Sequence, residues 1–158
     1  MTDLLSILFK AFWCGIAATG FGILFNTPGR VLMFIWLGGF VAGFVKFFFL
    51  AIGIGVGSGI ILSTFAAASA VGIASVPIAL RRHVPTIVFA IPSVIPLIPG
   101  AFAYKTMLGL MKLTSPIDSD YSQILSEAVH NGVTTLFVTM AIAMGVVIPI
   151  LVLQKENH

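Results

Sequence analysis

Apolar residues run along this chain in long blocks, and most of the charged ones fall in the short gaps between them. The first block, residues 4–25, ends in FNTPGR (Phe25–Arg30), where Asn, Pro and Gly supply turn chemistry. A second block opens at Val31, and from 47 to 80 the chain passes 34 residues without a charge. At about 1.5 Å per residue, one helix of that length overshoots a ~30 Å hydrocarbon core by roughly 20 Å, so the chain turns within it. Gly53, Gly55, Gly57 and Gly59 mark the corner and leave spans at 31–51 and 59–80. Arg81, Arg82 and His83 form the next gap, 84–111 the fourth block, and 112–122 the one loop of any length, with TSPIDSDYS at its heart. Asp120 with Gln123 three residues on is a weak capping-box signature opening the last block, 123–153.

The fourth block carries IPSVIPLIPGAFAY (Ile91–Tyr104), which places Pro92, Pro96, Pro99 and Gly100 in a segment long enough to cross a bilayer. Each proline lacks an N–H and crowds the carbonyl four residues back, and glycine accepts backbone angles that other residues avoid. The span is expected as two halves hinged at Pro96–Gly100. Unpaired backbone in hydrocarbon is costly, so a broken helix survives only where protein or a watery cavity meets it. Discontinuous helices of this kind point to transport sites.

Composition agrees: 59% of residues are hydrophobic and only 8% charged, against roughly a quarter charged in soluble domains. The fold class is therefore all-α, a polytopic membrane bundle of about five spans forming a single integral membrane domain over 1–158. Asp3 and Lys10 argue against a cleaved signal, so the first span is expected to be kept. The net charge of +3 comes from scattered loop residues and makes no nucleic-acid patch. Cys14 is the only cysteine, which excludes an intrachain disulfide and paired-cysteine metal clusters. No phosphate loop, nucleophile elbow or paired catalytic carboxylates occur, so neither an enzyme nor a cofactor is expected.

Arg30, Arg81, Arg82 and Lys155 fall on one side of the five spans, and Lys112, Asp3, Asp118 and Asp120 on the other. The first side is expected to be cytoplasmic, with the N-terminus outside and the C-terminus inside. Lys10 and Lys46 lie five or six residues within their spans, in reach of the interface by snorkelling. Ala66, Ala70 and Ala74 repeat every four residues on the third span, which is assigned to the bundle interior.

Three strings carry a resemblance: FNTPGR, STFAAASA (Ser63–Ala70) and above all VIPLIPGAFAY (Val94–Tyr104). They resemble the small membrane subunit of the split threonine/serine exporter family, with fitting spacing from the first span to the end of the fourth. The fifth matches only in being apolar. The resemblance implies a larger partner with its own spans and a cytoplasmic domain, fused to the small subunit in some members. It also implies threonine and serine as substrates, with short dicarboxylates such as succinate for the two-subunit kind, and a cell (inner) membrane location. The five-span topology it implies, entering from outside and ending in the cytoplasm, agrees with the charge argument.

The chemistry expected at the break follows from the backbone. A helix resuming after Pro96, Pro99 and Gly100 turns the N–H groups of Ala101, Phe102 and Ala103 toward the break. A helix dipole supplies about 0.3–2 kcal/mol toward an anion, whereas millimolar binding needs about 4 kcal/mol. Side chains must help, and Tyr104, Lys105, Ser63 and Thr64 are the candidates by type. A purely structural kink is the alternative for the break, and snorkelling the alternative for Lys105. Glu127, His130 and Asn131 share a face at i, i+3 and i+4, making Glu127 and His130 proton-coupling candidates or an interfacial solvated pair. Glu-x-x-His also occurs in carboxylate-bridged metal sites, but the second copy such sites need is missing.

The reading is a subunit of a gradient-driven exporter working with a larger partner in the bilayer. A non-transporting scaffold for that partner and a small homo-oligomeric channel stay open as alternatives.

Overall fold

A computed structural model of the chain describes residues 2–53, 59–82, 84–114 and 121–155. Helices occupy the apolar blocks: α1 (Thr2–Leu24), α2 (Gly29–Ala51), α3 (Gly59–Arg82), α4 (Thr86–Val94), a 3₁₀ turn (Ile95–Leu97), α5 (Gly100–Leu113) and α6 (Tyr121–Lys155). Helices α1, α2, α3 and α6 are each long and apolar enough to cross a bilayer, and α4 with the 3₁₀ turn and α5 form a bent pair that passes the same test of length and composition together. Gly55 and Gly57 of the corner, His83, Asp118, Ser119 and Asp120 lie outside the described residues, as do the side chains of Asp3 and Lys155.

The helix ends follow from local chemistry. After α1, Asn26 takes a positive φ of 54°, its N–H donates to the Ile23 carbonyl, and that of Thr27 donates to Gly22. This is a Schellman closure, with Asn in the left-handed position it tolerates better than most residues. Pro28, its φ already helical, caps α2. At the far end Gly53 adopts φ +71°, and its N–H returns to Leu50. A side chain there would be strained, so Gly53 is what ends α2.

The chain divides into two compact units, Met1–Ile98 with Ala141–His158, and Pro99–Met140. In the first, α2 packs against α1, α3, α4 and the 3₁₀ turn. Small residues set the spacing. A Cβ added at Gly39 would lie 2.5 Å from the Ala18 Cβ and 2.9 Å from the Cys14 carbonyl, and one at Gly38 would run into the Ser93 hydroxyl. Gly72 faces the Val146 carbonyl, and Gly145 the Ala68 Cβ. Where lipid removes the hydrophobic drive between helices, close backbone approach of this kind supplies the packing energy.

Half of the α3 window is buried, against 28% for α1 and 33% for α2, so α3 is the most enclosed of the three. The stripe that does this is not Ala66, Ala70 and Ala74, which are only half-buried. Ser63, Ala67, Val71 and Ser75 are buried, with Thr64, Ala68, Gly72, Val76 and Ala79 alongside. The face is one residue further round than the alanine spacing suggests, because Gly145 of α6 approaches Ala68 and Gly72 there. Outward, α2 carries a ladder of Trp36, Phe40, Phe44 and Phe48 with centroids 5.5, 6.4 and 5.7 Å apart.

In the second unit α5 packs on the first part of α6. A Cβ on Gly109 would meet the Ala128 Cβ at 2.7 Å, and one on Gly132 the Thr106 methyl at 3.2 Å. The whole of α6 is 35 residues, about 50 Å at 1.5 Å per residue and well beyond the ~30 Å of hydrocarbon.

Candidate functional site

The three prolines of the fourth span act differently. Pro92 sits inside α4 and does not end it. Nearby, the Ser93 hydroxyl donates to Phe89, 2.9 Å, and faces the Ile35 carbonyl of α2 at 3.4 Å. Pro96 lies in the first turn of the 3₁₀ segment, where no N–H is required. The break itself falls at Ile98 and Pro99. Ile98 is extended (φ −60°, ψ 131°), as a residue before proline prefers, and its N–H closes on the Ile95 carbonyl.

Pro99 then caps α5, and here the geometry corrects the sequence reading. Its carbonyl accepts the N–H groups of both Phe102 (3.1 Å) and Ala103 (3.2 Å). Two of the three N–H groups expected to face a ligand are therefore spent within the helix, because capping by the preceding carbonyl is the cheapest local remedy for orphan donors. Gly100 and Ala101 keep theirs, with no acceptor among the described residues. Gly100 also lacks the positive φ expected of it, and a Cβ there would meet nothing within 4 Å. Neither backbone strain nor local crowding requires glycine at this position.

A second correction concerns Lys46. It does not snorkel out of α2; its Nζ donates to the Leu97 carbonyl at 3.1 Å. In an unbroken helix that carbonyl would take the N–H of residue 101. The break orphans it, and an ammonium from α2 fills the place. The signal was present in the chain: Lys46 lies seven residues after Gly39 and three after Gly43, on the face α2 packs with. Lys10, by contrast, is exposed, with its ammonium 5.3 Å from the Phe47 ring centroid. Arg82 at the end of α3 stacks over Phe34 at 4.6 Å.

Ser63 and Thr64 are fully buried and donate to the Ile60 carbonyl, at 3.1 and 2.7 Å, so their hydroxyl protons are spent within α3. Tyr104 and Lys105 are exposed on α5. Glu127 and His130 are exposed on α6, whereas Asn131 on the same face is buried. The structure brings Lys105 and Glu127 together with Lys112 around a cavity of about 130 Å³. A larger cavity of about 700 Å³ lies between the end of α3, the start of α4 and the later part of α6. Thr86 is its one polar side chain, which suits hydrocarbon and not a charged solute. Among the described residues no group of His, Cys, Asp or Glu is arranged to hold a metal.

The family model described as threonine/serine exporter, ThrE, matches residues 10–152. The chain belongs to the threonine/serine exporter family. A protein of Haemophilus influenzae whose function is uncharacterized is 25% identical over 154 residues, covering 98% of this chain and 50% of that protein. The chain thus spans about half the length of this curated relative. No solved structure matches. Family and helices together describe a multi-pass membrane protein of an exporter family, with a bent helix pair where the proline string predicts a break.

Proposed function

We propose that the chain is a membrane subunit of a secondary exporter of small carboxylate-bearing metabolites, threonine and serine or short dicarboxylates such as succinate, acting with a larger partner subunit. The carrying observation is the broken fourth span in a chain of this family. Backbone released from helical pairing inside an apolar bundle is tolerated where protein or a watery cavity meets it, and such broken helices recur at transport sites. That the chain aligns with half of its Haemophilus influenzae relative supports a transporter with a further part beyond this sequence. We assign that part to the larger subunit. The reading needs no enzymatic step, and it places the chain in the inner membrane with a cytoplasmic C-terminus.

Vesicles loaded with threonine, serine or succinate test it. The chain reconstituted with the proposed larger subunit is expected to release at least one of these solutes when an ion gradient is imposed, and the chain alone is not. Efflux from the chain alone at the paired rate would refute the subunit reading. Gradient-independent conduction would favour a homo-oligomeric channel, and full export after the break is straightened would favour a scaffold.

A further inference from the structure

Lys46 occupies a position that packing alone does not explain. Five residues from the end of an apolar span, its ammonium is turned inward onto the broken helix instead of out to the interface. The chain has five carboxylate side chains in all, and none falls among the described side chains of Met1–Ile98 or Ala141–His158. No described carboxylate in that unit can neutralise the charge, and the ionisable group that acts on Lys46 there is the free thiol of Cys14. Its hydrogen-bond partner is a neutral carbonyl, which takes one of the three ammonium donors and leaves the others without a protein acceptor among the described residues. An intramembrane cation that faces protein and lacks a counter-ion marks a solute pathway.

We propose that Lys46 is the carboxylate-binding cation of the transport site, its ammonium donating to the substrate carboxylate beside the Leu97 carbonyl. This deepens the export reading above and rests on it. Both proposed substrate classes, a hydroxy amino acid and a dicarboxylate, share the carboxylate that such a group recognises. Leu97 holds the ammonium in place while the site is empty, so the lysine arrives pre-oriented. Charge-assisted hydrogen bonds are shorter and stronger than neutral ones, so a carboxylate competes well for the remaining donors.

The test uses the full chain co-purified with its larger partner, and measures binding of radiolabelled L-threonine and succinate, with L-threonine amide as an uncharged-terminus competitor. Wild type is expected to bind at least one carboxylate and to prefer threonine to its amide. Lys46→Met is expected to weaken carboxylate binding roughly 10- to 100-fold and to erase the preference over the amide. Lys46→Arg should retain most of both. Lys46→Gln keeps a donor for Leu97 without the charge, and is expected to behave like Lys46→Met in binding while eluting as a folded complex. A folded Lys46→Met or Lys46→Gln complex with wild-type affinity would overturn the assignment. So would equal weakening toward acid and amide, which would make Lys46 a strut for the broken helix. If wild type bound neither threonine nor succinate, the export reading would fall and this assignment with it.

Discussion

Two glycines, Gly100 at the break that the sequence marks out and Gly39 in the contact of α2 with α1, make opposite predictions. Replace each with valine. At Gly39 the new Cβ would sit 2.5 Å from the Ala18 Cβ and 2.9 Å from the Cys14 carbonyl. Both neighbours belong to α1, one of them backbone, so the helices must separate; overpacking of this kind costs about 1–3 kcal/mol, and the two further γ-methyls push toward the upper end. At Gly100 the Cβ meets nothing within 4 Å and the backbone is not left-handed. Only helix propensity changes, by less than about 1 kcal/mol and in valine's favour. Melting of the folded species in mild detergent, followed by size exclusion after heating, separates the two cases. Gly39→Val should lose the folded peak at a lower temperature and Gly100→Val should keep it. Export then asks a different question of Gly100→Val. Its side chain stands over the N–H groups of Gly100 and Ala101, the ones without acceptors, so export should fall while assembly persists. If Gly100→Val unfolded as readily as Gly39→Val, the open geometry at the break would be wrong. If it folded and exported at the wild-type rate, the start of α5 would have no part in transport.

Pro99→Ala restores an N–H without adding much bulk and should reduce export less than Gly100→Val; a complete loss, measured in the same vesicles, would show that the proline itself holds the working geometry. Reporter fusions after residue 158 and between residues 115 and 120 should report opposite faces, since the order of the apolar blocks is expected to put Arg30, Arg81 and Arg82 on one side and Lys112 on the other; matching signals would end the five-span topology. Glu127→Gln and His130→Gln should each leave substantial export, because both side chains are exposed near the start of α6; abolished transport with lost pH dependence in an assembled protein would make them the proton relay.

The sequence by itself determined the helices, their order and the place of the break. Apolar block length against bilayer thickness sets the spans, and proline and glycine chemistry acts within a few residues of where it is written, as FNTPGR, Gly53 and Pro99 show. The charged ends of the blocks set the expected orientation in the same local way. Tertiary structure decided which face of each helix looks inward and what the freed backbone groups meet. Ala66, Ala70 and Ala74 have the right spacing and the wrong azimuth, since burial on α3 depends on where Gly145 of α6 approaches it. Phe102 and Ala103 lose their free N–H groups to the Pro99 carbonyl because a turn can bend to cap itself. Lys46 reaches Leu97 across 51 positions of chain. A lysine near a helix end has reach enough to point out to the headgroups or in to a neighbouring helix, and only the packing of α2 against the broken span chooses between them.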